Sequence, residues 1–423
     1  MRQMGLISVI RKGVLLLVVS VLFCMSCMNR NSSKKYSYKY GDIDKSVVGY
    51  IQNDTTVRSD RVKLINVDCN YEFKNAGFLI RNLKLIPLEA NSNSLIGEVD
   101  KIVVQDSFIY LLDIHRAKSL FVFNLYTGRF IRKIGGHGKS NSEYVEPTDF
   151  TVAGNHVVIL DNLSKKLLIF GTEGDFKRST RLQYALQAIE RTDVDSIFMG
   201  IAGDNRHIEA IHKYKILKFD TRGHILAKYL KMDFSMNFYE LNNLKSESNY
   251  FWYHAPFAND VVFLDHSGTE VKYKFRFSKK GIPDNFDEQC EGNYEEFIEK
   301  FRRTYSYVQG KCCYTGRYLV FQYANEGRAG CLVVYDMLSD KVIFNGVPFF
   351  DPQKGTIEDF LAMRLGGVDP LFTEKSDRVY GIIPSERLEV LCSNEEVKGS
   401  FNIDSMISNN NPILFVADIE GKR

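Results

Sequence analysis

The chain has 423 residues, of which 44% are hydrophobic and 13% aromatic. Lys and Arg number 55 against 52 Asp and Glu, leaving a net charge of only +3. The two signs are interspersed, so no basic stripe is present to hold a nucleic-acid backbone, and no net field favours a membrane surface.

The first segment reads as an export signal. Arg2, Arg11 and Lys12 precede an apolar run from Val14 to Phe23, broken only by Ser20. That run is short for a bilayer span and has the length of a signal core. It ends in Leu22-Phe23-Cys24-Met25-Ser26-Cys27. A small residue directly before a Cys matches a bacterial lipobox, so residues 1–27 are expected to be a lipoprotein signal with Cys27 lipidated. Cys24 is the poorer candidate because bulky Phe23 precedes it. Residues 28–60 are expected to form a flexible tether, since Asn29 to Tyr40 is polar, basic and without an apolar period.

Residues 61–423 carry a repeat. It is clearest in FIYLLDIHRAKSLFVFNLYTGRFIRKIG from Phe108 to Gly135 and HVVILDNLSKKLLIFGTEGDFKRS from His156 to Ser179. Each is an apolar strand ending in Asp, a polar gap, a second apolar strand, a Gly turn and a third strand. The strand and turn recur as FVFNLYTGRF at Phe121, LLIFGTEGDF at Leu167, ILKFDTRGHI at Ile216 and VVFLDHSGTE at Val261, with degenerate copies at Val333 and Ile413. The turn glycines Gly128, Gly174, Gly223 and Gly268 are spaced by 46, 49 and 45 residues. Several short strands per period of about 40–50 residues mark a β-propeller. Each unit is a sheet that buries its faces only by stacking on its neighbours. The fold class predicted is an all-β, six-bladed β-propeller with small helical insertions; the weak last unit leaves seven blades open.

In chain order, Val62–Val67 and Phe78–Leu88 read as strands, and one of them is expected to close the ring beside Ile413–Asp418. Blade one takes Leu95–Ile102, Ile109–Asp113, Ser119–Asn124 and Arg129–Ile134. Blade two takes Phe150–Ala153, Val157–Asp161, Leu167–Phe170 and Asp175–Thr180. Blade three takes Ala188–Arg191, Ser196–Ile201, Tyr214–Phe219 and His224–Leu230, and blade four Tyr250–His254, Asp260–Leu264 and Glu270–Phe277. Then the period breaks. Within Ile282–Val308, Phe297, Phe301 and Tyr305 recur at steps of four and predict an inserted amphipathic helix. Blade five takes Lys311–Cys313, Tyr318–Tyr323, Cys331–Tyr335 and Lys341–Phe344, and Ile357–Leu365 reads as another short helix. Blade six takes Leu371–Thr373, Arg378–Ile383 and Ile413–Asp418, with no pattern assigned between the last two.

The stretches LIGEVDKIVVQDSFIYLLD, GRFIRKIGGHGKSNSEYVEPTDFTV and VVILDNLSKKLLIF resemble the six-bladed β-propeller lipoproteins of Bacteroidetes, whose repeats are relatives of the NHL type. The likeness is closest over Leu85–Phe176. Members carry an IGxxGxGPGEY-like stretch; here Ile134 to Tyr144 keeps the glycines, Glu143 and Tyr144, but Asn141-Ser142 replaces Pro-Gly. The resemblance implies export, a lipid anchor at the cell envelope, that of an outer-membrane lipoprotein, and the propeller itself.

Candidate chemistry is sparse. The Gly135–Tyr144 loop joins two blades and offers His137, Lys139, Glu143 and Tyr144 as ligand groups, or as locks between blades. Trp252, Tyr253 and His254 form the richest aromatic cluster, suited either to a sugar face or to the core between blades. Asp113, Asp161 and Asp265 end strands, where carboxylates cap turns; no compact calcium loop accompanies them. No GxSxG, HExxH or P-loop occurs, and no Cys sits at zinc spacing. No catalytic residue, metal or cofactor is therefore assigned. The cysteines beyond Cys27 read as buried thiols, with Cys312 and Cys331 able to pair. The expectation is a non-catalytic protein that binds a glycan, peptide or protein on one propeller face, with the membrane as a partner through the N-terminal lipid. The alternative is a propeller enzyme of lactonase or lyase type with a polar or metal site at the axial mouth.

Overall fold

A computed structural model of the chain describes residues 43–423, apart from residues 50, 54–56, 60, 233–239, 242, 248–249, 266–267, 291–292, 367–370, 374–375 and 422–423. The expected signal, Cys27 and most of the tether lie outside the described residues.

The B and C strands of each repeat are continuous apolar runs because both faces of each sheet are covered. In blade I, Tyr110, Leu112, Leu120 and Val122 point into a core shared with blade II. The alternate residues Ile109, Leu111, Phe121 and Phe123 point into a core shared with Tyr380, Ile382 and Leu414 of blade VI. A strand with period two thus feeds two different cores, and the stacking has to continue until it closes.

Six blades result, each with strands A to D from the axis outward. Blade I is Lys101–Gln105, Phe108–Asp113, Ser119–Asn124 and Phe130–Ile134. Blade II is Pro147–Ala153, His156–Asp161, Lys166–Gly171 and Phe176–Arg181. Blade III is Leu186–Arg191, Ile197–Ala202, Tyr214–Asp220 and Ile225–Lys231. Blade IV is Leu244–Glu247, Tyr250–His254, Asp260–Asp265 and Gly268–Phe277. Blade V is Ser306–Tyr314, Tyr318–Asn325, Arg328–Asp336 and Lys341–Pro348. Blade VI is Leu371–Thr373, Arg378–Ile383 and Ile413–Ile419, and its fourth strand is the N-terminal Ile80–Pro87. Ile413 pairs with Pro87 and Ile419 with Ile80, antiparallel, so the ring closes as the sequence predicts.

The turn glycine has two jobs. Gly128 sits at φ +69°, which an L side chain rarely adopts, and a Cβ there would lie 2.1 Å from the Pro87 carbonyl oxygen of blade VI. The C–D turn therefore seats directly against the preceding blade. Blade I differs from expectation at its start: strand A begins at Lys101, not Leu95. Residues 95–100 are the entering connection, because Asp113 draws the Gly97 and Glu98 amides away from any ladder.

The chain before blade VI forms a belt. Gln52–Asn53 lies parallel to strand D of blade III, Val57–Arg58 and Lys63–Val67 to that of blade IV, and Phe73–Lys74 to that of blade V. Ahead of these, helix Lys45–Val48 is capped by Asp44 and buries Val47 in the core between blades II and III. Lys45–Val48, Gln52–Asn53 and Val57–Arg58, which fall in the span read as tether, thus follow the propeller rim.

The insertions are shorter and more numerous than expected. Residues 282–308 hold two single-turn helices, Phe286–Gln289 and Tyr294–Phe297, then a π-turn at Ile298–Arg302, with strand resuming at Ser306. Phe297 and Phe301 are buried in a cluster with Phe286, Cys290 and Tyr307. Helix Ile357–Ala362 starts from a Thr356–Asp359 capping box. The unassigned stretch of blade VI is helical: Ser385–Ser393 (3₁₀), Glu395–Phe401 and Ile403–Ile407. Cys69, Cys290, Cys312, Cys313, Cys331 and Cys392 are free thiols, so Cys312 and Cys331 do not pair.

Candidate functional site

Strands in a blade alternate in direction. The B–C connections and the blade-to-blade connections therefore share one end of the sheets, and the A–B and C–D turns share the other. The turn end is built of tight hairpins such as Asp106-Ser107 and Tyr126-Thr127-Gly128. Among the described residues, the connection end carries the Gly135–Tyr144 loop, the helices inserted between blade strands, and the long segment 203–213.

The Gly135–Tyr144 loop is shaped by its own residues. Gly136–His137 and Glu143–Tyr144 pair as a short parallel ladder. The Gly138 amide donates to the Tyr144 carbonyl at 2.9 Å, and the Ser140 amide donates to Glu143 Oε2 at 2.9 Å. That bond holds the Glu143 carboxyl below its ordinary range. A Cβ at position 138 would lie 2.1 Å from Glu143 Oε2, so the close approach needs the glycine. Tyr144 is 1% exposed, and its hydroxyl donates to the Ile134 carbonyl at 3.1 Å. Burial pushes its pKa up to about 12. Glu143 and Tyr144 therefore lock the loop, while His137 and Lys139 are exposed.

The aromatic cluster lies elsewhere, on strand B of blade IV. Trp252, Tyr253 and His254 are all buried. Trp252 stacks on Tyr314 of blade V with centroids 4.7 Å apart and planes at 11°, and its Nε1–H donates to Glu247 at 2.9 Å. Tyr253 donates to Glu240 Oε2 at 2.7 Å, and Glu240 is in turn ion-paired with buried Lys215. His254 Nε2 meets the Ala258 carbonyl at 3.0 Å. Desolvation lowers its pKa to about 4, which keeps the ring neutral. The structure thus brings His137, Lys139, Glu143 and Tyr144 together and leaves Trp252, Tyr253 and His254 between blades.

The strand-terminal aspartates cap. Asp113 Oδ2 accepts from Gly97 and Glu98, and Oδ1 from Arg116 and Ala117. Asp161 accepts from Val145 in the entering connection and from Ser164 in its own turn. Both are fully buried. Asp265 ends a C strand instead, so it belongs to the opposite end from Asp113 and Asp161.

Two lysines of innermost strands, which sequence reasoning passed over, pin the axis. Lys101 of blade I lies 2.8 Å from Asp149 Oδ1 of blade II and donates to the Ile189 carbonyl of blade III at 3.3 Å. Lys245 of blade IV donates to the Tyr314 carbonyl of blade V at 2.5 Å and the Thr373 carbonyl of blade VI at 3.1 Å. Lys101 thus ties blades I to III, and Lys245 ties blades IV to VI. Asp149 Oδ2 accepts from the Ile189 amide at 2.6 Å, and Thr151 donates to Glu190 at 3.2 Å, extending a polar column along blades I to III. Burial raises both Asp149 and Glu190, with Lys101 opposing. For Lys101 the sequence signal was a lysine against the apolar run Ile102–Val104; Lys245, in the polar strand Leu244–Glu247, had none. At the connection end of the same column, burial raises Asp100 to about 6, with His115 Nε2 4.0 Å away. Among the described residues, no three His, Cys, Asp or Glu side chains converge in a way that could hold a metal ion.

A family model described as a domain of unknown function, DUF4934, matches residues 62–418. No curated protein matches the chain. Among solved structures, a Bacteroides fragilis NCTC 9343 protein, assigned as exported only by inference, superposes with a TM-score of 0.65 at 17% identity, covering 85% of this chain and 100% of that one. A DUF4221 family member from Bacteroides vulgatus ATCC 8482 gives a TM-score of 0.46 at 10% identity, covering 81% of this chain and 98% of its own. The computationally designed Ika8 protein gives 0.34 at 12% identity, covering 71% of each chain. At these identities the first likeness shows the fold alone.

Proposed function

The chain belongs to the DUF4934 family, and on that premise we propose that it is an exported, lipid-anchored six-bladed propeller of NHL-like type. In this reading it is held at the outer membrane through Cys27 and binds a glycan, peptide or protein partner at the connection end of its blades, without catalysis. One observation carries the binding reading. Among the described residues, the Gly135–Tyr144 loop, the inserted helices and the long segment 203–213 stand at one end of the sheets, while the other end is tight hairpins. Connections are free to vary without cost to the ladder, and a rigid scaffold that gathers them at one end is a binding design. His137 and Lys139 are exposed, with Ser140 and Asn141, on the loop that Glu143 and Tyr144 stiffen.

Anchoring is supported by the Ser26-Cys27 lipobox after a short apolar run. Two measurements test the whole reading. Cys27→Ala should lose fatty-acid labelling and move the chain out of the membrane fraction; retention of label there removes the anchor. A photo-crosslinking residue at position 137 should capture a defined partner in the native envelope, and one in the C–D turn at Tyr126 should not. Equal capture at both ends overturns the choice of face.

A further inference from the structure

The belt covers the outer edges of only some blades. Blades III, IV and V each receive a parallel belt strand on strand D. Among the described residues, blades VI, I and II receive none. We propose that the open edge of blade II is a docking site for an extended acidic segment of a partner protein, which adds to the sheet beside Phe176–Arg181. This site lies on the rim, apart from the loops of the connection end.

The edge has the geometry that accepts a belt strand elsewhere. Blades II and III share a bulge between strands C and D, at Ile169/Phe170 in one and Lys218/Phe219 in the other. Counted from that bulge, Arg178 and Ser179 stand where Ala227 and Lys228 stand in blade III. Those two residues are the ones that pair with Gln52 and Asn53. The Leu182 amide donates inward to the Lys165 carbonyl at 2.7 Å. Alternation along the unbroken ladder then turns the Ser179 and Arg181 amides outward. Outward amides and carbonyls on a sheet edge are what an added strand bonds to.

Charge selects the occupant. The strand reads FKRSTR, with no acid in it. Lys177 is ion-paired with Asp175, but Arg178 and Arg181 are exposed and no acid of the strand answers them. Arg181 stands opposite Lys166 in the ladder, cation beside cation. Phe176, 38% exposed and edge to face with Phe170 at 5.6 Å, offers a ring to an apolar side chain of the same segment. Like charges keep the same edge of a second copy away. Residues 28–42 of this chain carry Arg30, Lys34, Lys35 and Lys39 against one acid, Asp42, so they do not supply the opposite charge either.

The test uses the full chain in detergent and the fluorescence anisotropy of a labelled heptapeptide that alternates Val with Asp. It should bind with a Kd below about 0.1 mM. The same peptide with Lys in place of Asp, or with a methylated backbone, should bind at least about tenfold more weakly. Ser179→Pro removes one outward N–H, which an edge strand tolerates, and should abolish binding. Arg178→Glu with Arg181→Glu changes only exposed side chains and should weaken binding about tenfold or more. That variant carries the test if Ser179→Pro lowers the thermal midpoint. His137→Ala should leave binding unchanged, which separates this edge from the connection end. No binding of the acidic peptide, equal binding of both signs, or indifference to backbone methylation overturns the proposal. So does a dimer of the parent that Ser179→Pro dissolves, which would give the edge to a second copy.

Discussion

Lys101 Nζ lies 2.8 Å from Asp149 Oδ1, joining the innermost strands of blades I and II where both side chains are sealed from solvent. A pair so buried is costly to assemble but more costly to break. Lys101→Met leaves an uncompensated carboxylate beside the axis and should cost about 3–5 kcal/mol in chemical denaturation. Replacing both, as Lys101→Met with Asp149→Leu, should recover most of that loss. A double variant no more stable than the single one refutes the pair as the cause.

His254 and Asp100 make stability depend on pH with opposite signs. His254 drops from an ordinary 6.5 to about 4, so the unfolded chain binds the extra proton. Its contribution is complete above about 6.5 and is lost as pH falls toward 4, by about 3 kcal/mol. Asp100 rises from 3.8 to about 6, so the folded chain binds the extra proton there. Its contribution is present below 3.8 and is lost as pH rises through 6. Urea midpoints from pH 4 to 7 should rise with pH more weakly in His254→Gln than in the parent. They should rise more steeply in Asp100→Asn.

Gly128→Ala tests the seating of one blade on another. The variant must hold an L residue at φ +69° and move the Pro87 carbonyl. It should lose about 2–4 kcal/mol, from left-handed strain and a forced backbone shift. Gly136→Ala is the control, since a Cβ there meets nothing within 4 Å. Its midpoint should stay within about 1 kcal/mol of the parent.

The belt and the closing strand should separate on truncation. A chain starting at residue 61 loses the strands at Gln52–Asn53 and Val57–Arg58 but keeps Ile80–Pro87. It should fold cooperatively with a lowered midpoint. One starting at residue 89 leaves the edge of Ile413–Ile419 open and should show no cooperative transition. Cooperative melting of the shorter chain would contradict closure by this strand.

Much of the fold could be read because sheets covered on both faces write unbroken apolar runs, and because the C–D turn demands glycine. The belt could not. Strands of two residues, such as Phe73–Lys74, carry no period, and their partners lie hundreds of positions away. The helices after Ile383 hid because Asn394 caps one and Asn402, at φ 49°, breaks the next apart, so no apolar spacing runs past a turn or two. The run Trp252-Tyr253-His254 was ambiguous for the same reason that the strands were obvious. When both faces are buried, alternation vanishes, and an aromatic ledge and an aromatic core look alike. Of the loop, the glycines and the Glu-Tyr pair were legible, and their division into locking and exposed groups was not.

Of the blade strands, the one that seals the ring is the first to leave the ribosome and the last to be paired. Ile80–Pro87 emerges before every other blade strand, yet its partner Ile413–Ile419 emerges after all of them. The nascent propeller therefore waits with blade VI unfinished and an apolar strand unpaired. Its last folding step is a long-range capture, which is slow by nature.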